Sequence, residues 1–253
     1  MKRLITALVL IPIVVAVILA GDDRTVTALL AITGLLAYRE FDQLAAGNGI
    51  ARAGLPGMVA GLALLLAPDP GTIVVLIALL GMALALHTRD LKDSMAGASA
   101  FTLGVVYIFG AWRCARELHA ISPHWLMFAL LVSWVGDTAA LYIGKAFGRR
   151  KLAPVVSPAK TWEGAAASLV GGVLAGGVYA HFLLPAAPLN FVLLLAPVGN
   201  IAGQFGDLCK SAWKRGAGVK DSGAMLPGHG GWLDRIDASL FAVPVVYALL
   251  KLV

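Results

Sequence analysis

Residues 124–146 read HWLMFALLVSWVGDTAALYIGKA, 23 residues whose only fixed charges are Asp137 and Lys145. A helix rises 1.5 Å per residue, so this run covers the roughly 30 Å hydrocarbon core of a bilayer. Similar runs recur along the chain, and the polar punctuation between them marks nine helices near 4–20, 25–46, 55–67, 72–87, 97–114, 124–146, 162–184, 190–212 and 236–253. The chain is 59% hydrophobic and 13% charged, with a mean hydropathy of +0.85, which argues against a soluble fold. The third run, ending before Pro68-Asp69-Pro70, is too short to span unless it extends back through Gly54-Leu55-Pro56 or packs as a re-entrant piece.

The expectation is an all-α polytopic membrane protein, a bundle of about nine transmembrane helices with a cytoplasm-facing active site. We read 1–253 as a single integral membrane domain, in which 1–123 supply N-terminal helices and 124–253 the catalytic helices and loops. Met1-Lys2-Arg3 before an apolar run has the form of a signal peptide, but Ile18-Leu19-Ala20 lacks a small-x-small cleavage pattern, so the segment is taken as a first anchor. With the N-terminus in the cytoplasm, every Lys and Arg except Arg24, Arg113, Arg116 and Lys251 falls on the inner side, as the positive-inside rule requires. That asymmetry explains the net charge of +6 without nucleic acid, since the basic loops face anionic membrane lipids. Gly57 and Gly61, Gly144 and Gly148, and Gly172 and Gly176 are spaced for close helix packing, inside the bundle by default and in a homodimer as the alternative. Cys114 and Cys209 have no metal or redox spacing and read as small buried residues.

The polar exception lies between the last two apolar runs. From Ser211 to Asp237 the chain places Lys214, Arg215, Lys220, Asp221, His229, Gly230, Gly231, Asp234, Arg235 and Asp237. Carboxylates suit a divalent cation and basic groups suit phosphates, so the segment reads as a metal-phosphate site at the membrane surface. If the preceding helix continues, Asp207, Ser211 and Lys214 share one face. Asp207 lies near the membrane boundary, where a carboxylate needs a cation or a partner such as Lys210. Asp234 and Asp237, three apart, can converge on one ion, although acids at a helix start are also ordinary through capping and the dipole. The Gly228-His229-Gly230-Gly231 backbone can approach phosphate oxygens. A second group comprises Asp137 and the run Ser157, Lys160, Thr161 and Glu163, where Ser157 serves as a helix cap and Lys160, opposed to the helix dipole, suggests a phosphate between them. His87, His119, His124 and His181 read as packed or interfacial.

The run SAWKRGAGVKDSGAMLPGHGGWLDRID, residues 211–237, closely resembles the signature of the phosphatidate cytidylyltransferase (CDP-diacylglycerol synthase) family, and the segment from Asp137 to Gly164 resembles a second block of it. The likeness covers about residue 130 to the end. It implies an integral membrane nucleotidyltransferase of phospholipid biosynthesis that makes CDP-diacylglycerol and pyrophosphate from CTP and phosphatidate with Mg²⁺, leaving room for a second cation. It implies metal-binding places for Asp207, Asp234 and Asp237, and substrate-binding or catalytic places for Ser211, Lys214, Arg215, Lys220, Asp221 and His229. Two departures stand out. The aromatic of the first block comes one place late, at Tyr142, and Lys210 stands where the family usually has Glu. Lys210 is expected to snorkel outward to a headgroup. The alternatives are a related enzyme acting on another lipid phosphate and an ion-coupled transporter, the latter disfavoured because the charges cluster in a loop rather than at helix midpoints. The implied location is the bacterial inner membrane, with N-terminus and active site cytoplasmic.

Overall fold

The computed structural model describes residues 2–88, 90–225 and 230–252. His229, a candidate site residue, lies outside them. The described chain forms ten α-helical segments: α1 (Lys2–Ala20), α2 (Asp23–Gly47), α3 (Leu55–Leu66), α4 (Pro70–Ala85), α5 (Ser94–Val105), α6 (Ala111–Ile121), α7 (Pro123–Phe147), α8 (Trp162–Leu183), α9 (Leu189–Gly216) and α10 (Leu233–Lys251). A π turn, Val106–Gly110, joins α5 to α6 in one rod, Leu91–Ile121, so the segments match the nine runs read from the sequence. The protein is an all-α polytopic membrane protein. Four rods, Leu91–Ile121, α7, α8 and α9, are long and apolar enough to cross a bilayer; α3 and α4, at 12 and 16 residues, fall short of the roughly 20 needed.

Local chemistry sets the helix starts. Pro70 and Pro123 begin α4 and α7 behind the caps Asp69 and Ser122, which accept from Gly71 N and His124 N. The cap of α8 is Thr161, whose hydroxyl accepts from Gly164 N at 3.1 Å, and not Ser157. Ser157 instead begins β2 (Ser157–Thr161), which pairs antiparallel with β1 (Lys151–Ala153) in the register Lys151 with Thr161 and Ala153 with Ser157. The Pro-x-Lys run is extended because proline disfavours helix in the residue before it.

The chain divides into two compact units. The first comprises residues 1–10, 24–113 and 213–235, the second 11–23, 114–212 and 236–253. In the first, Tyr38, Leu64, Leu65, Ile108 and Phe109 form the core. A Cβ on Gly57 would strike the Tyr38 ring and one on Gly61 the Phe109 ring, so this glycine pair serves internal packing. In the second, α7 and α8 pack along a ladder of Gly164, Ser168, Gly172, Gly176 and Ala180, all buried, while Val170, Leu174, Val178 and Phe182 stand exposed on α8. Small residues inside and large apolar residues outside suit lipid as the solvent. Asn200 ties the ladder together: its amide donates to Val132 O at 3.2 Å and pairs with Ser168, and Gln204 donates to its Oδ1 at 2.8 Å.

Candidate active site

In the first unit the end of α9, the loop after it and the start of α10 enclose a buried carboxylate, Asp234. Gly218 (φ 69°) and Gly230 (φ 78°) take the left-handed backbone that lets the loop turn. Lys214 Nζ lies 2.7 Å from Asp234 Oδ1, with the Asp234 side chain 4% exposed. The other oxygen, Oδ2, accepts from Ser222 N at 2.8 Å, Ser222 Oγ at 3.1 Å and Gly231 N at 3.1 Å. Arg215, Lys220, Asp221 and Arg235 are exposed, with Arg215 donating to Val219 O.

One residue here carried no signal in the sequence reading. Glu40 of α2 is 2% exposed and accepts from Ser222 Oγ at 2.7 Å, Trp232 N at 2.8 Å and Leu233 N at 2.9 Å. It thus caps the N-terminus of α10, whose first amide hydrogens have no partner within the helix. A Cβ on Gly231 would collide with Ser222 Oγ and Glu40 Oε2, so the second glycine of the pair is required by this carboxylate. Arg39, Asp42 and Gln43 around it make this end of α2 polar, so a carboxylate there leaves no local sign of its burial.

In the second unit, Lys160 Nζ lies 2.7 Å from Asp207 Oδ2, and Ser211 Oγ donates to Asp207 Oδ1 at 3.3 Å. Lys210 forms an ion pair with Asp237 and stands 4.0 Å from Asp207 Oδ1. The lysine is 3% exposed and therefore does not snorkel to a headgroup, as its long stem suggested; the two carboxylates hold it inside. Gly206 lets α10 come close, since a Cβ there would lie 2.7 Å from Asp237 O. Asp137 lies inside α7, as its apolar run indicated, and is within electrostatic reach of Asp207, Asp237, Lys160 and Lys210. Glu163 does not join this group. It accepts from the amides of Arg149 and Arg150 at 3.1–3.3 Å and closes the base of the hairpin. Thr161 serves as the helix cap and Ser157 lies at the start of β2.

The three acids expected to share a metal each face a lysine: Asp207 with Lys160, Asp237 with Lys210, Asp234 with Lys214. Among the described residues, no three His, Cys, Asp or Glu groups gather as a metal cage. The carboxylate oxygens of Asp207 and Asp237, drawn together on one ammonium, are the part of the set whose hard-donor chemistry fits a divalent cation, whereas both Asp234 oxygens are engaged by Lys214 and the loop. Lysine–carboxylate pairs in an apolar chain, and in the first unit exposed arginines and a lysine, suit an enzyme that handles phosphorylated substrates at a membrane.

The chain belongs to the Cytidylyltransferase family, whose model matches residues 1–253. It is similar to the phosphatidate cytidylyltransferases of Staphylococcus saprophyticus and Staphylococcus haemolyticus, each 32% identical over 98% of both chains, and to that of Staphylococcus aureus, 30% identical over the same share. The protein is therefore a membrane-bound nucleotidyltransferase.

Proposed function

We propose that the enzyme transfers the cytidylyl group of CTP to phosphatidate, forming CDP-diacylglycerol and pyrophosphate. The observation that carries this reading is the full-length similarity to phosphatidate cytidylyltransferases. The residue chemistry supports it. A phosphate monoester has a second pKa near 6, so the lipid phosphate is already largely dianionic at neutral pH and needs no strong general base. Its oxygen attacks the α-phosphorus of CTP, the bond from that phosphorus to the bridging oxygen breaks, and pyrophosphate leaves with the electron pair. The obstacle is the approach of one anion to another, and cations remove it.

In our reading the exposed Arg215 at the end of α9, Lys220 in the loop and Arg235 at the start of α10 take phosphate oxygens, while Lys214 is aimed by its pair with Asp234. Gly230 and Gly231 bring backbone close to the nucleotide, with Asp221 and His229 completing the loop's contacts. Lys160, Asp137 and Ser211 serve the second group, with Thr161, Ser157 and Glu163 shaping the hairpin that carries Lys160. Asp207 and Asp237 would hold Mg²⁺, which supplies charge neutralisation on the nucleotide phosphates when bound. The excess of basic loop residues supports a cytoplasmic N-terminus and site in a bacterial inner membrane, with CTP arriving from the cytoplasm and the lipid arriving laterally.

The test is incubation of the purified protein with labelled CTP and separate lipids: phosphatidate, other lipid phosphates, and diacylglycerol without phosphate. Label should move to phosphatidate with release of pyrophosphate. Preferential labelling of another lipid phosphate would reassign the acceptor, and the absence of any transfer would remove the proposal.

A further inference from the structure

We propose that the Lys210 ammonium is a tethered cation occupying the site between Asp207 and Asp237, so that a divalent ion enters this site with the nucleotide and not ahead of it. The inference rests on the reading above for the place of the divalent ion. Its structural basis is independent of substrate.

Lys210 follows Asp207 by three positions on α9, which directs both side chains to the same side of the helix. Its ammonium is ion-paired with Asp237 and 4.0 Å from Asp207 Oδ1, with the lysine 3% and Asp237 8% exposed. Removing one partner from such a buried pair leaves an uncompensated charge, which holds the lysine in place as long as both carboxylates are ionised. Lys160 occupies the opposite oxygen of Asp207 at 2.7 Å. Lys160 and Lys210 offset the charges of Asp207 and Asp237, and Asp137 stands within electrostatic reach of all four. The two ammoniums therefore leave the group at most one negative charge with which to attract a free ion. A divalent cation seated on the same oxygens would stand beside the ammonium, and like charges at that range in a poorly hydrated site repel strongly. The two occupants exclude one another. Nucleotide phosphates change the balance, because they present a second anion to the ammonium and bring further oxygen ligands for the ion.

The measurement is a Mn²⁺ titration of the detergent-purified protein without nucleotide, read by electron paramagnetic resonance as the loss of the free-ion signal. Wild type should bind Mn²⁺ only weakly, Lys210→Gln at least ten-fold more tightly, and Lys210→Glu more tightly again. Adding Asp237→Asn to Lys210→Gln should reverse the gain, which separates this site from any other Mn²⁺ site. Equal affinity in wild type and a folded Lys210→Gln protein would overturn the proposal. Where the variant does not fold, the wild-type titration still decides, since tight Mn²⁺ binding without nucleotide contradicts a site filled by lysine. Because neither CTP nor lipid is present, the result is separate from the identity of the acceptor.

Discussion

Glu40 offers the most exposing perturbation, because nothing about its position along the chain links it to the loop it holds. Its carboxylate accepts three hydrogen bonds of 2.7–2.9 Å from Ser222 Oγ, Trp232 N and Leu233 N while 2% exposed. In Glu40→Ala the amides of Trp232 and Leu233 lose their acceptor, at roughly 1–3 kcal/mol each where water cannot replace it, while Ser222 Oγ keeps Asp234 Oδ2. The gross loss of about 2–6 kcal/mol is reduced in part because a buried charge disappears with the partner. That is a large share of a typical stability of about 5–15 kcal/mol, so a lower melting temperature is expected. The same three donors flank Asp234, whose Oδ2 also takes Ser222 N and Gly231 N. Release of the loop should therefore misplace Lys214 and Asp234, and displacement on the order of 1 Å costs about 10²-fold in rate. Glu40→Gln should fall between, since its amide oxygen still accepts while its NH₂ faces donors. The assay is labelled-CTP turnover beside thermal unfolding and hydrogen exchange of residues 217–232. Wild-type turnover and melting in Glu40→Ala would refute the reasoning.

Asp234→Asn and Asp207→Asn should each reduce turnover by about 10³-fold or more while leaving membrane insertion intact, because each removes the charge that aims a lysine and Asp207 is a hard ligand besides; near-normal activity in Asp234→Asn, or in Asp207→Asn at saturating Mg²⁺, would sink their assigned roles. For topology, Ser222 is unsuitable as a labelling site since it is buried against Glu40, so cysteines at Val155 and Ala224 in a protein lacking Cys114 and Cys209 are preferred. Both should react with an impermeant thiol reagent only from the cytoplasmic side, and opposite sidedness would overturn the assignment of both loops to the cytoplasm. Asn200→Leu should cost about 1–3 kcal/mol by removing the side-chain partner of Val132 O and Ser168 and one of the two acceptors of Gln204, seen as a lower melting temperature with the acceptor preference unchanged.

Much of the architecture is written locally. A bilayer demands about 20 apolar residues per crossing and satisfied backbone groups, so the positions of nine rods follow from composition alone. The motif from Ser211 to Asp237 likewise marks a phosphate-handling segment, because no apolar run tolerates such a density of charge without use for it. Boundaries followed less well. The rod read as 97–114 spans Leu91–Ile121: Asp90 caps its beginning, and in its last turns Arg116 is held by Asp23 at 2.9–3.1 Å. The cap assigned to Ser157 belongs to Thr161, since the intervening residues pair with Lys151–Ala153, while the helix itself starts at Trp162 as its apolar run indicated.

The partners of the acids were beyond local reading. Spacing placed Asp207 and Lys210 on one helix and Asp234 and Asp237 on another, but spacing does not say which cation meets which carboxylate. Lys160 reaches Asp207 and Lys210 reaches Asp237 only through packing within the second unit. Glu40 contacts residues 182 to 193 positions away, and its own neighbourhood in sequence is an unremarkable amphipathic turn of α2. Membrane insertion is decided residue by residue against a uniform solvent, which a single chain displays in its composition. Charge pairing in a buried site is decided by which side chains share a small dry volume, and only the folded chain creates that volume.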